Sequence, residues 1–210
     1  MSAPERLDVR RDLDHYRARR GEFRDLVVPA QRYLMVDGAG DPNTAPAYAE
    51  ALAALYPVAY AVKFVSRAAG HDHVVPPLEA LWWAPDLAMF TTARDKSAWC
   101  WTAMILVPDH VPDALVETAV AAVAAKPRPT ALDRLRLDRL DEGRCVQTLH
   151  VGPYDDEGPV LARLHDEVLP AAGLQPTGRH HEIYLGDPRR TAPERLRTVL
   201  RQPVAYLRPS

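Results

Sequence analysis

Residues 77–84, Pro-Leu-Glu-Ala-Leu-Trp-Trp-Ala, form a short apolar stretch that carries a single carboxylate, Glu79. Aromatic and apolar residues at this density favour a buried strand. A second stretch of the same kind, His-His-Glu-Ile-Tyr-Leu, occupies residues 180–185 and places Glu182 among apolar neighbours. Two apolar strands that each contain one glutamate indicate an internal repeat.

The repeat is one of element order. A strand, a loop with Gly or Pro, a helix and two further strands occur over about residues 23–107 and again over about residues 135–206. In the first copy Pro46 marks the start of the helix, and Pro57 predicts a kink or a division into two helices. In such a unit the helix covers one face of the sheet and leaves the other face open. Two units can pair through their open faces or edges and so form a cleft between them. The predicted fold is therefore α+β, with two tandem strand-helix-strand-strand modules, antiparallel sheets, a pseudo-two-fold repeat and a ligand cleft between the modules.

Three segments are predicted along the 210 residues. Residues 1–22 mix both charge signs and are typical of an exposed arm or helix. Residues 23–128 contain the first module and an added helix, and residues 129–210 contain the second module. The boundary follows from the proline-rich run at residues 126–130.

The composition excludes several classes of function. Hydrophobic residues make up 47% of the chain and charged residues 26%, as in an average globular protein. The formal net charge of −2 provides no general attraction for nucleic acid or an anionic membrane. No apolar run approaches the ~20 residues of a membrane span, and the charged start lacks a signal sequence. We expect a cytoplasmic protein without nucleic-acid or membrane partners; the oligomeric state is left open.

Aromatic residues are unusually concentrated in the first copy, where two predicted strands carry all four tryptophans. Two tyrosines follow each other at helical spacing on the predicted helix. Both features are compatible with core packing and with an aromatic cleft. The candidates for ligand binding are Trp82, Trp83, Trp99, Trp101, Tyr56 and Tyr60.

The two strand glutamates are the main candidates for chemistry. A carboxylate in an apolar strand is costly unless it is paired or faces a wet cleft. Glu79 and Glu182 therefore either have a structural partner or lie in an aromatic pocket, where an acid attracts a cation or acts as a general base. Tyr154, at a Gly-Pro-Tyr turn, is a candidate for a phenol in the cleft, and His181 is included as a ligand-binding candidate.

A metal site is not expected, although two histidine pairs suggest ligand fragments. The pair at residues 180 and 181 lies in a strand, where neighbours point to opposite faces. The pair at residues 71 and 73 lies on a turn. No nucleotide-binding glycine motif and no nucleophile elbow occur in the sequence, so we expect no cofactor.

Several motifs resemble the GyrI-like small-molecule-binding family. The resemblance covers about residues 23–206, and its C-terminal run is the most specific part. The motifs are Val-Asp-Gly-Ala-Gly-Asp-Pro-Asn at residues 36–43, Pro-Leu-Glu-Ala-Leu-Trp-Trp at 77–83, Trp-Cys-Trp-Thr at 99–102, Gln-Thr-Leu-His-Val-Gly-Pro-Tyr at 147–154 and His-His-Glu-Ile-Tyr-Leu-Gly-Asp-Pro-Arg-Arg at 180–190, with Pro-Glu at 193–194 and Arg-Gln-Pro-Val at 201–204.

The resemblance implies a ligand cleft between two tandem modules. Relatives include effector-binding domains of multidrug-sensing transcription regulators, and stand-alone members that hydrolyse cyclopropane-bearing, DNA-alkylating natural products. The first ~25 residues are too short for a DNA-binding helix-turn-helix, so the stand-alone form is expected. By this resemblance Glu182 is the buried pocket acid, and the aromatic walls are Trp82, Trp83, Trp99, Trp101, Tyr154 and Tyr184.

Two functions follow, and the sequence leaves the choice between them open. One is a module that binds flat lipophilic or cationic aromatic molecules, in resistance to drugs or toxins. The other is a cyclopropanoid cyclopropyl hydrolase, with Glu182 as general base and Tyr154 or Tyr184 as hydrogen-bond donor. An inhibitor acting through protein contacts is a third class, which no surface feature of the sequence supports.

Overall fold

A computed structural model describes residues 6–84 and 96–207. Its described residues form an α+β fold around one nine-stranded sheet in which neighbouring strands are antiparallel, which confirms the predicted class. The spatial order is β1-β6-β9-β8-β3-β4-β2-β5, and β7 pairs with β9. The strands are β1 Arg24–Val28, β2 Gln31–Ala39, β3 Leu78–Trp83, β4 Cys100–Val107, β5 Arg136–Leu140, β6 Gly143–Val151, β7 Leu174–Pro176, β8 His180–Tyr184 and β9 Arg197–Tyr206.

The predicted repeat is present in the topology. The first copy is β2, a long helix, β3 and β4; the second is β6, a second helical stretch, β8 and β9. Strands β3 and β8 join the copies, with Ala80 opposite Glu182 and Trp82 opposite His180. The outer strands are exchanged: β1 pairs with β6 of the second copy, and β5 pairs with β2 of the first.

The helices of the described residues are arranged around this sheet. The long helix of the first copy is unbroken at Pro57, contrary to the expectation of a division there. Proline removes one helical hydrogen bond, but the flanking Leu55 and Val58 are fully buried, and their packing offsets that loss. The elements are α1 Val9–Asp12, α2 Pro46–Ala68, α3 Asp113–Ala124, and α4 Gly158–Ala162 continuing through a π-helical turn, Arg163–Val168, into α5 Leu169–Ala171.

One face of the sheet, here called the helix face, carries both helical stretches. In the first half α2 packs over Trp101 and Ala103 of β4. In the second half Leu164 and Leu169 pack over Val146 of β6. The β3–β8 seam lies between these two packed regions, where the cleft is expected.

The opposite face, here called the arm face, is covered by the N-terminal segment. Val9 and Tyr16 are 1% and 2% exposed and pack against strand residues of both halves, such as Leu81 and Ile183. The described part of the segment, from residue 6 onward, is therefore a packed cover. Its buried apolar residues lie between charged ones, so the sequence pattern does not indicate that they are buried.

No helix among the described residues is both long and apolar enough to cross a membrane.

Candidate functional site

An aromatic cluster lies on the helix face at the β3–β8 seam. Trp82 of β3 stacks on Tyr48 of α2, with ring centroids 6.1 Å apart, and meets Trp99 edge-on at 5.7 Å. Tyr48 also makes an edge contact with Trp101 at 4.9 Å. The Trp101 indole is fully buried and lies over Gly38, where a Cβ atom would come within 2.1 Å of the ring. Trp101 thus supports the cluster from beneath.

A hydrogen-bond chain connects this cluster to Glu182. Trp82 Nε1 donates to the Tyr184 hydroxyl at 3.1 Å, and that hydroxyl donates to Glu182 Oε2 at 2.7 Å. The geometry follows from strand alternation, which puts residues 182 and 184 on one face of β8, facing the same way as Trp82. Tyr154 packs edge-on against Tyr184 at 5.4 Å. The structure thus brings Glu182, Tyr184, Tyr154 and Trp82 together.

The electrostatics of this site favour proton exchange near neutral pH. Burial raises the pKa of Glu182, and the hydrogen bond from Tyr184 partly opposes the rise. Burial and the Glu182 charge raise the pKa of Tyr184 well above its usual value, and burial raises that of Tyr154 to about 12. The two phenols therefore remain protonated donors, while the carboxyl group can take up or release a proton.

A second buried acid, Glu157, belongs to the same region and was missed by the sequence analysis. It follows the 3-10 turn Tyr154–Asp156 and is 5% exposed. Burial raises its pKa, and the nearby Glu182 charge adds to the rise. In the sequence Glu157 ends the run Asp-Asp-Glu, which is typical of a solvated loop, so no local signal identifies it.

Glu79 and His181 point to the arm face, away from the aromatic cluster. His181 Nε2 lies 2.9 Å from Glu79 Oε2, and His181 Nδ1 lies 3.0 Å from Glu142 Oε1. Arg201 Nη1 donates to Glu142 Oε2 at 2.8 Å, and the Tyr16 hydroxyl donates to Glu79. These five residues are called the arm-face network. Glu79 thus has the structural partners that burial of a carboxylate requires.

Charge pairing within the arm-face network governs its protonation. Burial alone would raise the pKa of Glu142, but the charges and hydrogen bonds of His181 and Arg201 hold it at about 2. Burial alone would lower the pKa of His181, but Glu142 and Glu79 raise it. Glu142 and His181 therefore each favour the charged form of the other, next to the Arg201 guanidinium.

The remaining predicted site residues are dispersed. Trp83 is on the arm face, where the Arg179 guanidinium lies 3.5 Å from its ring centroid. Tyr60 is 51% exposed on α2. Tyr56 of α2 is half-buried, and burial raises its pKa. Among the described residues, no group of three or more His, Cys, Asp or Glu side chains is arranged to hold a metal ion.

Comparison with known proteins identifies the family. An uncharacterized conserved protein from Listeria innocua is 36% identical, with a TM-score of 0.84 over 95% of this chain and 100% of that one. A hydrolase from Listeria innocua is 35% identical, with a TM-score of 0.80 and the same coverage. The C-terminal domain of EcmrR, 10% identical over 89% of this chain and 98% of that one with a TM-score of 0.55, shares the fold alone. No curated protein matches. The model of the GyrI-like small molecule binding domain matches residues 22–205, and the chain therefore belongs to the GyrI-like family.

Proposed function

We propose that the chain binds flat aromatic small molecules in the cleft above the β3–β8 seam, in the service of drug or toxin resistance. The observation that supports this most directly is the contact between an aromatic wall and a buried acid. Trp82, which is 5% exposed, packs beside Tyr48 and Trp99, and its indole nitrogen is tied through Tyr184 to Glu182. Aromatic faces bind planar molecules with limited selectivity, and the acid adds a counter-charge for cationic ones.

A titration of tryptophan fluorescence with a planar aromatic probe tests this proposal. Trp82 and Trp83 form a matched pair, because they are neighbours on one strand and face opposite sides of the sheet. An aromatic face contributes ~1–2 kcal/mol, so Trp82→Leu should raise Kd about tenfold. Trp83→Leu should change Kd by less than twofold. Equal effects of the two substitutions, or no saturable binding, would overturn the proposal.

Hydrolysis is a second candidate, favoured by the 35% identical Listeria protein described as a hydrolase. A cyclopropane conjugated to a dienone is a suitable substrate. The oxygen of water would attack a ring carbon while Glu182 accepts its proton. The strained carbon–carbon bond breaks, and its electron pair moves to the carbonyl oxygen as the ring system becomes aromatic. Tyr154 would donate a hydrogen bond to the resulting phenolate.

Mass spectrometry of the product distinguishes binding from hydrolysis. Incubation with a cyclopropane-bearing alkylator should yield an adduct of one water with multiple turnovers if the chain is a hydrolase. Glu182→Gln keeps the hydrogen-bond acceptor for Tyr184 but removes the base, so it should lower kcat at least a hundredfold and change Kd little. Full turnover by this variant would rule out the mechanism. Saturable binding without product would leave the binding function alone.

A further inference from the structure

A cavity of about 350 Å³ lies on the arm face, on the side of the sheet opposite the aromatic cluster. Small-molecule sites in proteins commonly have volumes of this order. Two connecting segments contribute to its lining: residues 140–142, where β5 turns into β6, and residues 177–179, between β7 and β8. Leu81 of β3 and Pro203 of β9 complete the lining, so both halves of the fold take part in it.

Glu142 is the buried charged residue of this lining. Its side chain is 3% exposed, with His181 Nδ1 3.0 Å from Oε1 and Arg201 Nη1 2.8 Å from Oε2. A carboxylate oxygen has two lone-pair sites, so each oxygen keeps one acceptor site for a donor in the cavity. His181 and Arg201 hold the pKa of Glu142 at about 2, so this acid is ionised at neutral pH. The adjacent Asp141, which is exposed, brings a second carboxylate to the same segment.

Arg179 brings a positive charge to the cavity from the other segment. Its guanidinium group lies 3.5 Å from the ring centroid of Trp83, and its Nη1 donates to Thr102 Oγ1 at 3.5 Å. A stacked guanidinium group keeps N–H donors at its edge, where they can bind a carboxylate. The backbone N–H of Thr177 donates to the Pro203 carbonyl at 2.8 Å and ties this segment to β9. The positive side of the cavity is therefore positioned before any ligand binds.

The charges of Asp141 and Arg179 line one cavity without pairing. Within residues 6–84 and 96–207, neither side chain forms an ion pair. The cavity thus combines two carboxylates on one segment with a guanidinium group on the other, next to the apolar Leu81. A ligand that carries both charge signs complements this lining, whereas an ion of one sign also meets a like charge.

We infer that this cavity binds a free α-amino acid with an apolar side chain. The ammonium group of the ligand donates to Glu142 and lies near Asp141, and its carboxylate accepts from the Arg179 guanidinium group. Its side chain contacts Leu81 and Leu140, which belong to the same lining. The site lies on the opposite face of the sheet from the aromatic cleft, so it does not depend on the function proposed for that cleft.

Four derivatives of one amino acid separate the two charges of the ligand. Leucine carries both, leucinamide only the positive one, N-acetylleucine only the negative one, and N-acetylleucinamide neither. Calorimetric titration of the intact chain at pH 7 should show leucine binding about fivefold more tightly than each of the other three. Equal binding of leucine and N-acetylleucinamide, tightest binding of either single ion, or no binding of any derivative would refute the inference.

Substitutions then assign each charge to its partner. Arg179→Gln should abolish the preference for leucine over leucinamide, because the partner of the carboxylate is lost. Asp141→Asn should lower the preference for leucine over N-acetylleucine to about twofold, since Glu142 remains. The exposed Arg190 lies outside the lining, and Arg190→Gln is the matched control that should change neither preference. Unchanged preferences in both cavity variants would overturn the inference.

The neighbouring tryptophans separate this site from the aromatic cleft. Trp83→Leu removes the ring on which Arg179 stacks and should weaken leucine binding about threefold. Trp82→Leu alters the cleft and should leave leucine binding unchanged. If Trp82→Leu weakens leucine binding as much as Trp83→Leu does, the amino acid binds in the cleft and the inference is wrong. Thermal melts establish that each variant is folded.

Discussion

Glu79 and Glu182 are one register position apart on the paired strands β3 and β8, and their carboxyl groups point to opposite faces of the sheet. Glu79 is paired with Ile183, and Glu182 with Ala80. The first acid is fully buried in the arm-face network, and the second lies at the β3–β8 seam among aromatic rings. Similar sequence contexts have thus produced a structural acid and a candidate functional acid.

The two acids should differ in their contribution to stability. Glu79→Gln removes one charge from a buried ion pair and should lower the free energy of unfolding by about 3–5 kcal/mol. Glu182→Gln removes a carboxylate without a cationic hydrogen-bond partner, so the free energy of unfolding should change by less than about 1 kcal/mol or increase. Urea unfolding at pH 7 measures both values. Equal losses would contradict the assignment of separate roles.

The arm-face network should produce acid lability through Glu142. The pKa of Glu142 is about 2 in the folded chain, against an ordinary value of 4.5 for an unfolded one. The contribution of Glu142 to the stability of the fold is therefore present above pH ~4.5 and is lost as the pH falls towards 2. The raised pKa of His181 acts in the opposite sense: its stabilisation is present below pH ~6.5 and lost as the pH rises through the folded value. Glu142→Gln should flatten unfolding stability between pH 5 and 2. An unchanged slope would show that other carboxyl groups cause the lability.

Glu157 should make the fold less stable at higher pH. The folded chain retains a proton on Glu157 that the unfolded chain releases above pH ~4.5, so the free energy of unfolding falls as the pH rises from that value. Glu157→Gln removes this dependence, and its advantage over the wild type should grow between pH 5 and 9. The exposed Glu167 provides a control. The free energy of unfolding of Glu167→Gln should depend on pH in the same way as that of the wild type. If the free energy of unfolding of Glu157→Gln also has the same pH dependence as that of the wild type, Glu157 is ionised in the folded chain.

Gly38 should be required for the position of Trp101. An alanine Cβ would lie within 2.1 Å of the indole ring, so the ring must move and disturb its contact with Tyr48. Overpacking of this kind costs about 1–3 kcal/mol, measured by chemical unfolding with tryptophan fluorescence. Gly158→Ala is the control, because a Cβ there meets nothing within 4 Å and α4 begins at that residue. Similar stability of the two variants would show that the indole adjusts freely.

Tyr184→Phe should raise the pKa of Glu182 further. The Tyr184 hydroxyl donates to the carboxylate and lowers its pKa, so its removal favours the protonated form. A pH titration of tryptophan fluorescence should show its midpoint moving upward in the variant, because the Trp82 indole itself lies close enough to Glu182 to lower the pKa of that carboxyl group. In a hydrolase the acidic limb of the pH–kcat profile would move with it. A midpoint that stays fixed would mean that another group titrates.

Much of the fold was predictable because local patterns determine it. Alternation in residues 180–184 correctly put His180, Glu182 and Tyr184 on one side, and the turn residues marked most element boundaries. Alternation defines two faces but does not reveal what covers each of them. The sequence therefore leaves the surroundings of Glu79 open, and the structure shows the N-terminal segment, with Tyr16, packed above it.

The candidate site was less predictable because it joins distant parts of the chain. In the sequence Tyr48 fits the apolar stripe of the long helix, and Glu157 fits a solvated acidic loop. Their significance depends on the pairing of β3 with β8 and of β8 with β9, which no single segment encodes.

The exchange of the outer strands delays the pairing of both edges of the sheet while the chain folds. Both edges of the sheet are built from strands, β1 and β5, that lie across the proline-rich linker from the strands they pair with. A nascent chain therefore keeps one side of β2 unpaired until residue 140 has been synthesised, and such long-range pairing slows folding. Cleavage within residues 126–130 would give two fragments that each lack an edge strand, and mixing them should reconstitute a heterodimer through reciprocal strand complementation.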